Sequence, residues 1–347
     1  MRTVTINPGN VSFQVDDEET ILSAALKNGL VVPYGCKDGA CGSCKAKITA
    51  GEVDHGTYQK RALSEFEKKT QSILLCTAKP ITDVAITANL LSVAKEYQPK
   101  KLPCRVENVK KVTDDIAIIY LKLPANQKFS FLPGQYVDIL LEGDKRRSYS
   151  MANAPREDNL IELHVKHNPG GLFTDSIFGF QSESKVEIKE KKILRLEGPL
   201  GTFYFRKNSD KNIIFLASGT GIGPIKAIIE NLALENLQYN IFLYWGVRKP
   251  KDLYLSQNIE SWSKKITKFT YIPVVSEASV EDNWKGRTGF VHHALMEDHN
   301  SLVGYNVYAC GSPLMVNAAF NDLTKKLNLG EKNFFSDAFT IAADINK

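Results

Sequence analysis

Six cysteines punctuate the 347-residue chain, and four of them could act together. Cys36, Cys41 and Cys44 form a C-x4-C-x2-C run, and Cys76 follows at a distance. That is the plant-type spacing for a [2Fe-2S] cluster. Gly35, Gly39 and Gly42 interleave the run; without a Cβ they let the backbone fold tightly and aim N–H groups at sulfur. Three thiolates within nine residues are costly to hold together unless a metal takes up their charge. Free or disulfide-bonded cysteines in a glycine-rich turn are the bland alternative, but disulfide scaffolds belong to short secreted chains. Zinc is the sharper rival, yet zinc sites usually take paired C-x2-C knuckles, and one knuckle is present here. Cys104 follows the proline- and lysine-bearing segment 97–103 and reads as an ordinary buried cysteine, which leaves Cys76 as the fourth ligand.

Four further clusters could hold a cofactor. In Arg147-Ser148-Tyr149-Ser150, alternation along a strand puts Arg147 and Tyr149 on one side, where a guanidinium suits a pyrophosphate and a phenol ring can stack on a flat heterocycle. Gly170-Gly171-Leu172-Phe173-Thr174 is a glycine turn opening a helix, a place for a phosphate. Ser218-Gly219-Thr220-Gly221-Ile222-Gly223-Pro224 follows an apolar strand, its glycines allow close approach of a dinucleotide, and Pro224 fits the first helical position. Tyr308-Ala309-Cys310-Gly311-Ser312-Pro313 is another strand end beside a glycine, and in a parallel sheet it could meet Thr220 in one crevice. Each cluster taken alone also fits an edge strand, a capped helix or a plain turn.

The elements that must carry these residues change character along the chain. Short β-rich runs at 3–6 and 11–15 flank the turn Asn7-Pro8-Gly9-Asn10. Thr20 caps a helix with Ile21, Leu22, Ala25 and Leu26 on its apolar face and Gly29 as its stop. A strand at 45–49, a short helix opened by Ser64-Glu65, and strands at 73–77 and 83–87 complete a β-grasp pattern, with Cys76 inside a strand. Runs at 104–112, 116–123, 135–141, 147–151, 160–166, 185–189 and 193–198 suggest a small antiparallel barrel of six or seven strands. After the turn at 208–211 the pattern becomes α/β with a mainly parallel sheet: strand 212–217, glycine loop, helix from about Pro224 to Glu235, strand 240–245, and further alternation to Phe335. The expected domains are therefore 1–92, a linker 93–103, 104–206 and 207–347.

With 43% hydrophobic and 24% charged residues, the chain has the composition of a soluble globular protein, and its length suggests two or three domains. No apolar run reaches the ~18 residues of a membrane span, and MRTVTINPGN lacks the apolar core of a leader, so a cytoplasmic protein without a membrane role is expected. Residues 1–92 hold ten Lys/Arg and ten Asp/Glu, so the net charge of +5 lies entirely in the remainder. No basic block is dense enough for nucleic acid, and Lys189-Glu190-Lys191-Lys192 reads as a solvated hairpin. A neutral cluster segment suits a module tethered to its own electron donor, which needs little long-range steering.

In their order, these features resemble the ferredoxin-NADP reductase-like flavin reductases over essentially the whole chain. The resemblance extends to the reductases serving the dehydrase of 3,6-dideoxy sugar formation (CDP-6-deoxy-glucoseen reductases). The residues behind it are the Cys36–Ala46 run, Ala152-Asn153-Ala154-Pro155, Ile161-Glu162-Leu163-His164-Val165, Leu196-Glu197-Gly198-Pro199-Leu200-Gly201-Thr202-Phe203, Tyr244-Trp245-Gly246 and Phe334-Phe335-Ser336-Asp337-Ala338-Phe339. The resemblance implies a β-grasp plant-type ferredoxin domain, a six-stranded antiparallel β-barrel for FAD and an α/β parallel-sheet NAD-binding domain. It implies that Arg147, Tyr149 and Ser150 hold FAD, that His164, Val165 and Lys166 lie along the flavin, and that Gly171, Leu172 and Thr174 bind its pyrophosphate. Gly219, Thr220, Gly221, Tyr308, Cys310 and Gly311 would form the dinucleotide site, with Thr220 and Cys310 orienting the nicotinamide. Gly223 stands where the family usually has Ala. NADPH-selective relatives carry a basic residue after a Val-Ser pair; here Val275-Ser276 is followed by Glu277, which points to NADH, while Arg248 pulls the other way.

The implied activity is a one-chain electron converter, passing a hydride from NADH to FAD and single electrons through the cluster to a partner protein. Lys37, Asp38 and Ala40 in the cysteine loop are the docking candidates. The expected acceptor is a pyridoxamine-phosphate dehydrase. The alternatives are a multicomponent oxygenase, served by the same internal chemistry, or a redox sensor that binds FAD without turning over nicotinamide.

Overall fold

The computed structural model describes residues 1–92, 97–143, 145–180, 187–207, 211–237 and 239–339. Residues 93–96 of the expected linker, 185–186 of an expected strand, the turn residues 208–210 and the tail 340–347 lie outside them. The chain divides into two compact units, residues 1–95 with 337–347, and residues 96–336.

The first unit contains β1 (Arg2–Asn7), β2 (Val11–Val15), α1 (Ile21–Lys27), β3 (Lys45–Ala50), β4 (Val53–Asp54), α2 (Glu65–Lys69), β5 (Ser72–Leu74), β6 (Lys79–Pro80) and β7 (Val84–Thr87). Five strands form one sheet in the order β2-β1-β7-β3-β5, with β1 and β7 parallel. Helix α1 starts where Thr20 Oγ1 accepts the Ser23 N–H at 3.3 Å, and it buries Ile21, Leu22, Ala24 and Ala25 in the same core as Val4, Ile6 and Ile86. A capping box starts α2: Ser64 Oγ accepts the Glu67 N–H, and Glu67 accepts the Ser64 N–H at 2.8 Å. This is the expected β-grasp. One detail differs: Cys76 lies in a turn just beyond β5, because the N–H groups of Thr77 and Ala78 both return to the Leu74 carbonyl and end the strand.

The second unit begins with a sheet of β8 (Lys100–Lys111), β9 (Ile116–Lys122), β10 (Tyr136–Leu140), β11 (Arg146–Ser150), β12 (Leu160–Lys166) and β13 (Ile193–Leu200), with α3 (Leu172–Phe178) between the last two. The strand order is β11-β10-β13-β8-β9-β12, and a bridge between Met151 and Leu163 joins the two outer strands into a barrel. Strand β8 starts four residues earlier than expected. Its first residues pair only with β13, so Pro103, lacking an N–H, sits at a position where no second partner is asked for. Residues 187–189 are not a strand; the Ile188 N–H donates to the Ser176 carbonyl and ties this segment to α3.

A third sheet follows: β14 (Asn212–Ser218), α4 (Ile222–Leu234), β15 (Asn240–Val247), α5 (Ser256–Lys265), β16 (Phe269–Val275), β17 (Arg287–Thr288), α6 (Val291–Asp298), β18 (Tyr305–Gly311), α7 (Pro313–Lys326) and β19 (Phe334–Ala338). The order is β17-β16-β15-β14-β18-β19, with β14 to β18 parallel. Helix α4 begins at Ile222, two residues before Pro224. The proline then occupies the third helical position, where the missing N–H is still one the helix does not use. Among the described residues no helix is long and apolar enough to cross a membrane.

Candidate functional site

The four cysteines of the first unit come together in two pairs. The Cys36 N–H donates to Cys41 Sγ at 3.4 Å, and the Cys41 N–H donates to Cys36 Sγ at 3.3 Å. The Cys36 and Cys41 thiols share a hydrogen bond, as do those of Cys44 and Cys76, and the Gly39 N–H reaches Cys76. The bond from Cys36 is the largest influence on Cys41 and holds its thiol below the usual cysteine range, against the opposing pull of burial. Two thiol pairs with backbone donors aimed at sulfur fit a two-iron cluster, one pair for each iron. Gly39 shapes the loop: its φ of +76° is left-handed, and an added Cβ would stand 2.9 Å from the Thr57 carbonyl oxygen. The next residue, Ala40, is buried. Ala40 therefore cannot present a docking surface as expected; Lys37 and Asp38 are half-buried.

On the barrel, Tyr149 packs against the core and lies 5.2 Å, ring to ring, from Phe173 of α3. That contact brings the β11 strand to the turn at Gly171 and Leu172. Burial pushes the Tyr149 phenol well above its usual range, with the Arg147 charge opposing, so it stays protonated. Arg147 is half-buried and donates to the Arg146 carbonyl at 2.8 Å, and Ser150 is half-buried at the end of the strand. Thr174 is turned inward: its hydroxyl donates to the Asn168 carbonyl at 2.9 Å and accepts the Asn168 N–H at 3.2 Å, which braces the turn.

Strand β12 separates the remaining barrel candidates. Ile161, Leu163 and Val165 point into the core, so Glu162, His164 and Lys166 point out. The His164 imidazole thus leaves the barrel wall on the side opposite Tyr149, and Lys166 is exposed and pairs with Asp115 at 3.1 Å.

At the carboxyl ends of β14 and β18 the backbones nearly touch. A Cβ on Gly221 would overlap the Cys310 carbonyl oxygen and stand 2.7 Å from Gly311 Cα. Gly311, at φ +137°, leaves 2.7 Å between its own added Cβ and the Ser218 carbonyl oxygen. The close approach therefore falls on Gly221, with Thr220 half-buried beside it. Gly219 has open space, and its carbonyl accepts Trp245 Nε1–H at 3.0 Å. The Cys310 side chain is fully buried. Tyr308 is buried in an aromatic cluster, stacked 4.8 Å from Phe335, and its hydroxyl accepts the Arg206 N–H at 2.9 Å. Its ring stays within that cluster.

Several residues at the junction of barrel and α/β sheet went unread in the sequence. Lys226 of α4 is 3% exposed and reaches the Ala152 carbonyl at 2.9 Å, Glu162 at 3.1 Å and Glu230 at 2.8 Å. His164 Nε2–H donates to Glu162 at 2.7 Å, and the Tyr254 hydroxyl donates to His164 Nδ1 at 2.9 Å, the tautomer that satisfies both partners. Burial is the largest effect on His164 and lowers its pKa, so the ring is neutral. Burial also opposes ionisation of Glu162, but His164 and Lys226 together outweigh it and keep the carboxylate charged. Lys226 did leave a signal: one charge inside the apolar run Ile222–Ile229 marks a buried ion pair.

Comparison with known proteins agrees with this layout. Residues 4–80 match the 2Fe-2S iron-sulfur cluster binding domain, 103–205 the oxidoreductase FAD-binding domain and 215–320 the oxidoreductase NAD-binding domain. The chain is 41% identical, over 97% of its length and 98% of the relative's, to the CDP-6-deoxy-L-threo-D-glycero-4-hexulose-3-dehydrase reductase of Yersinia pseudotuberculosis. It belongs to the iron–sulfur flavoprotein reductases of the ferredoxin-NADP reductase type. The phenol hydroxylase P5 protein of Acinetobacter pittii is 32% identical over 98% of this chain and 95% of its own length. The crystal structure of the cytochrome P450 reductase GcoB of Amycolatopsis superposes with a TM-score of 0.80 at 28% identity, covering 99% of this chain and all of that one. This reductase thus combines sites for a [2Fe-2S] cluster, FAD and a nicotinamide dinucleotide in one oxidoreductase chain.

Proposed function

We propose that this reductase draws electrons from NADH in preference to NADPH and delivers them to a pyridoxamine-phosphate dehydrase acting on a CDP-4-keto-6-deoxy-hexose. The acceptor reading is carried by the 41% identity to a dehydrase reductase across nearly both full lengths. An oxygenase acceptor is the second reading, favoured by the 32% identity to the phenol hydroxylase protein.

When bound, FAD takes two electrons as a hydride and releases them singly, and the cluster carries one at a time. The chain's part is to hold these groups. Cys36, Cys41, Cys44 and Cys76 ligate the irons. Arg147 neutralises the FAD pyrophosphate beside the Gly171–Leu172 turn, Tyr149 stacks on the flavin, and Ser150 and the backbone of Val165 and Lys166 line it. Thr174 acts by bracing the turn. The backbone at Gly219, Gly221 and Gly311 admits the dinucleotide, Thr220 orients its nicotinamide, and the buried Cys310 and Tyr308 support the strand end beneath. Residues 1–92, 104–206 and 207–347 carry these three tasks, Lys37 and Asp38 meet the acceptor, and the cytoplasm is where such a cluster persists.

The NADH preference rests on Glu277. It lies two residues beyond the end of β16, its N–H donates to the Arg248 carbonyl at 2.9 Å, and its carboxylate lies 3.6 Å from the Arg248 guanidinium. A carboxylate there repels a 2′-phosphate and pairs with the Arg248 guanidinium, which could otherwise receive it. Anaerobic titration of the holoprotein with NADH and then NADPH tests this: NADH is expected to bleach flavin and cluster absorbance at lower concentration. Equal bleaching by NADPH would remove Glu277 from the argument. Reconstitution with a cognate dehydrase, NADH and the CDP-sugar tests the acceptor, and absence of a deoxygenated product sinks the dehydrase reading.

A further inference from the structure

Buried and half-buried polar groups between barrel and α/β sheet form one path of hydrogen bonds interrupted by a single ring contact. It starts at the Ala152 carbonyl, two residues beyond the β11 strand that carries Tyr149, where Lys226 donates at 2.9 Å. Lys226 bonds Glu162, Glu162 accepts from His164, and His164 accepts from Tyr254. The Tyr254 ring stands edge-on to Trp245, 5.4 Å between centroids and 85° between planes. Trp245 closes the path by donating to the Gly219 carbonyl, the first glycine of the dinucleotide loop. The last glycine of that loop rests on the same groups: a Cβ on Gly223 would lie 3.5 Å from Ala152 Cβ and 3.7 Å from His164 Cβ.

An apolar contact could join the two lobes without desolvating an ammonium and a carboxylate. What hydrogen bonds add is direction, because each hydrogen-bonded link is satisfied in one geometry only. We infer that Glu162, His164, Lys226, Tyr254 and Trp245 are positioning residues, which hold the dinucleotide loop at the hydride-transfer distance from the flavin strand. This rests on the cofactor assignments proposed above. None of the five exchanges a proton or an electron in that transfer; the hydride leaves the nicotinamide carbon and joins the flavin with both electrons. Reactions between held groups are steep in geometry, and a misplacement of about 1 Å can cost about a hundredfold in rate.

Two conservative variants of the holoprotein test the inference. Tyr254→Phe keeps the ring against Trp245 and deletes the bond to His164. Trp245→Phe keeps a ring against Tyr254 and deletes the bond to Gly219. For each, stopped-flow reduction of the bound flavin by NADH should slow about tenfold with the NADH dissociation constant within about twofold, at unchanged flavin content. The flavin difference spectrum on adding NAD+, read without turnover, should change shape in both. The double variant should be no slower than the slower single variant, because both cut one path. Single-variant rates equal to wild type, a double-variant loss equal to the product of the two single losses, or lower melting temperatures with unaltered difference spectra would each overturn the inference. Failure of the cofactor assignments shows separately, as wild-type protein whose flavin NADH does not reduce.

Discussion

In the cysteine loop, Gly39 adopts a left-handed backbone beneath the segment around Thr57, while in the glycine loop after β14 Gly221 has an ordinary helical backbone, φ −59° and ψ −12°, and no room at all. The first glycine is required by conformation together with a neighbour it touches. The second is required because another strand end occupies the place of its side chain. Gly223, two residues on, is constrained by neither. Glycine-rich loops that look alike in sequence thus answer to different physics, and substitution separates them.

Gly221→Ala should have the largest effect. The methyl overlaps the Cys310 carbonyl, so one strand end must move, and flavin reduction by NADH should fall at least about a hundredfold while iron content and cluster absorbance persist. Gly39→Ala should give the reverse pattern. A left-handed alanine and its contact with Thr57 should destabilise the first unit by about 1–3 kcal/mol and lower iron content, while NADH still reduces the flavin. Loss of both activities in either variant would break the comparison.

Acid should act more weakly, through the junction. Burial sets the folded-state pKa of His164 below its unfolded value of about 6.5, so the buried neutral ring contributes fully above that pH and its contribution is lost as pH falls below it. Glu162, whose carboxyl is also depressed, adds a loss at lower pH, as it protonates. The urea midpoint of wild type should therefore drop between pH 7.5 and pH 5.5, and drop less in His164→Gln. Some slope should remain, because burial lowers His55, His292 and His299 in the same direction. Gly223→Ala should do least. Its Cβ makes ordinary contacts, and alanine in the first helical turn should raise stability by up to about 1 kcal/mol, seen as a small rise in melting temperature.

The meeting of the four cysteines was readable because their spacing is local: three lie within nine residues, and the fourth follows a short strand. The β-grasp, barrel and α/β succession was readable from the change of period. What escaped depends on distant partners. Cys76 leaves the strand because two amides return to Leu74, Ala40 is buried although its neighbours Lys37 and Asp38 are half-exposed, and residues 187–189 meet α3 through a bond from Ile188 to Ser176. Lys226 and Glu162 stand 64 residues apart and meet only when α4 lies against β12. Tyr254, in the connection after β15, carried no pattern that would mark it as the partner of His164.

The two cysteines outside the group of four have a practical consequence. Cys104 is 2% exposed, with burial pushing its thiol up to about 12, and Cys310 is not exposed at all. Neither offers a reactive thiolate at neutral pH. Alkylation by iodoacetamide in the folded protein should therefore label almost nothing while the irons are in place, and the half-buried Cys36 and Cys41 first once they are gone. Mass spectrometry of labelled protein would then serve as a clock for cluster decay, counted one chain at a time and read without any colour.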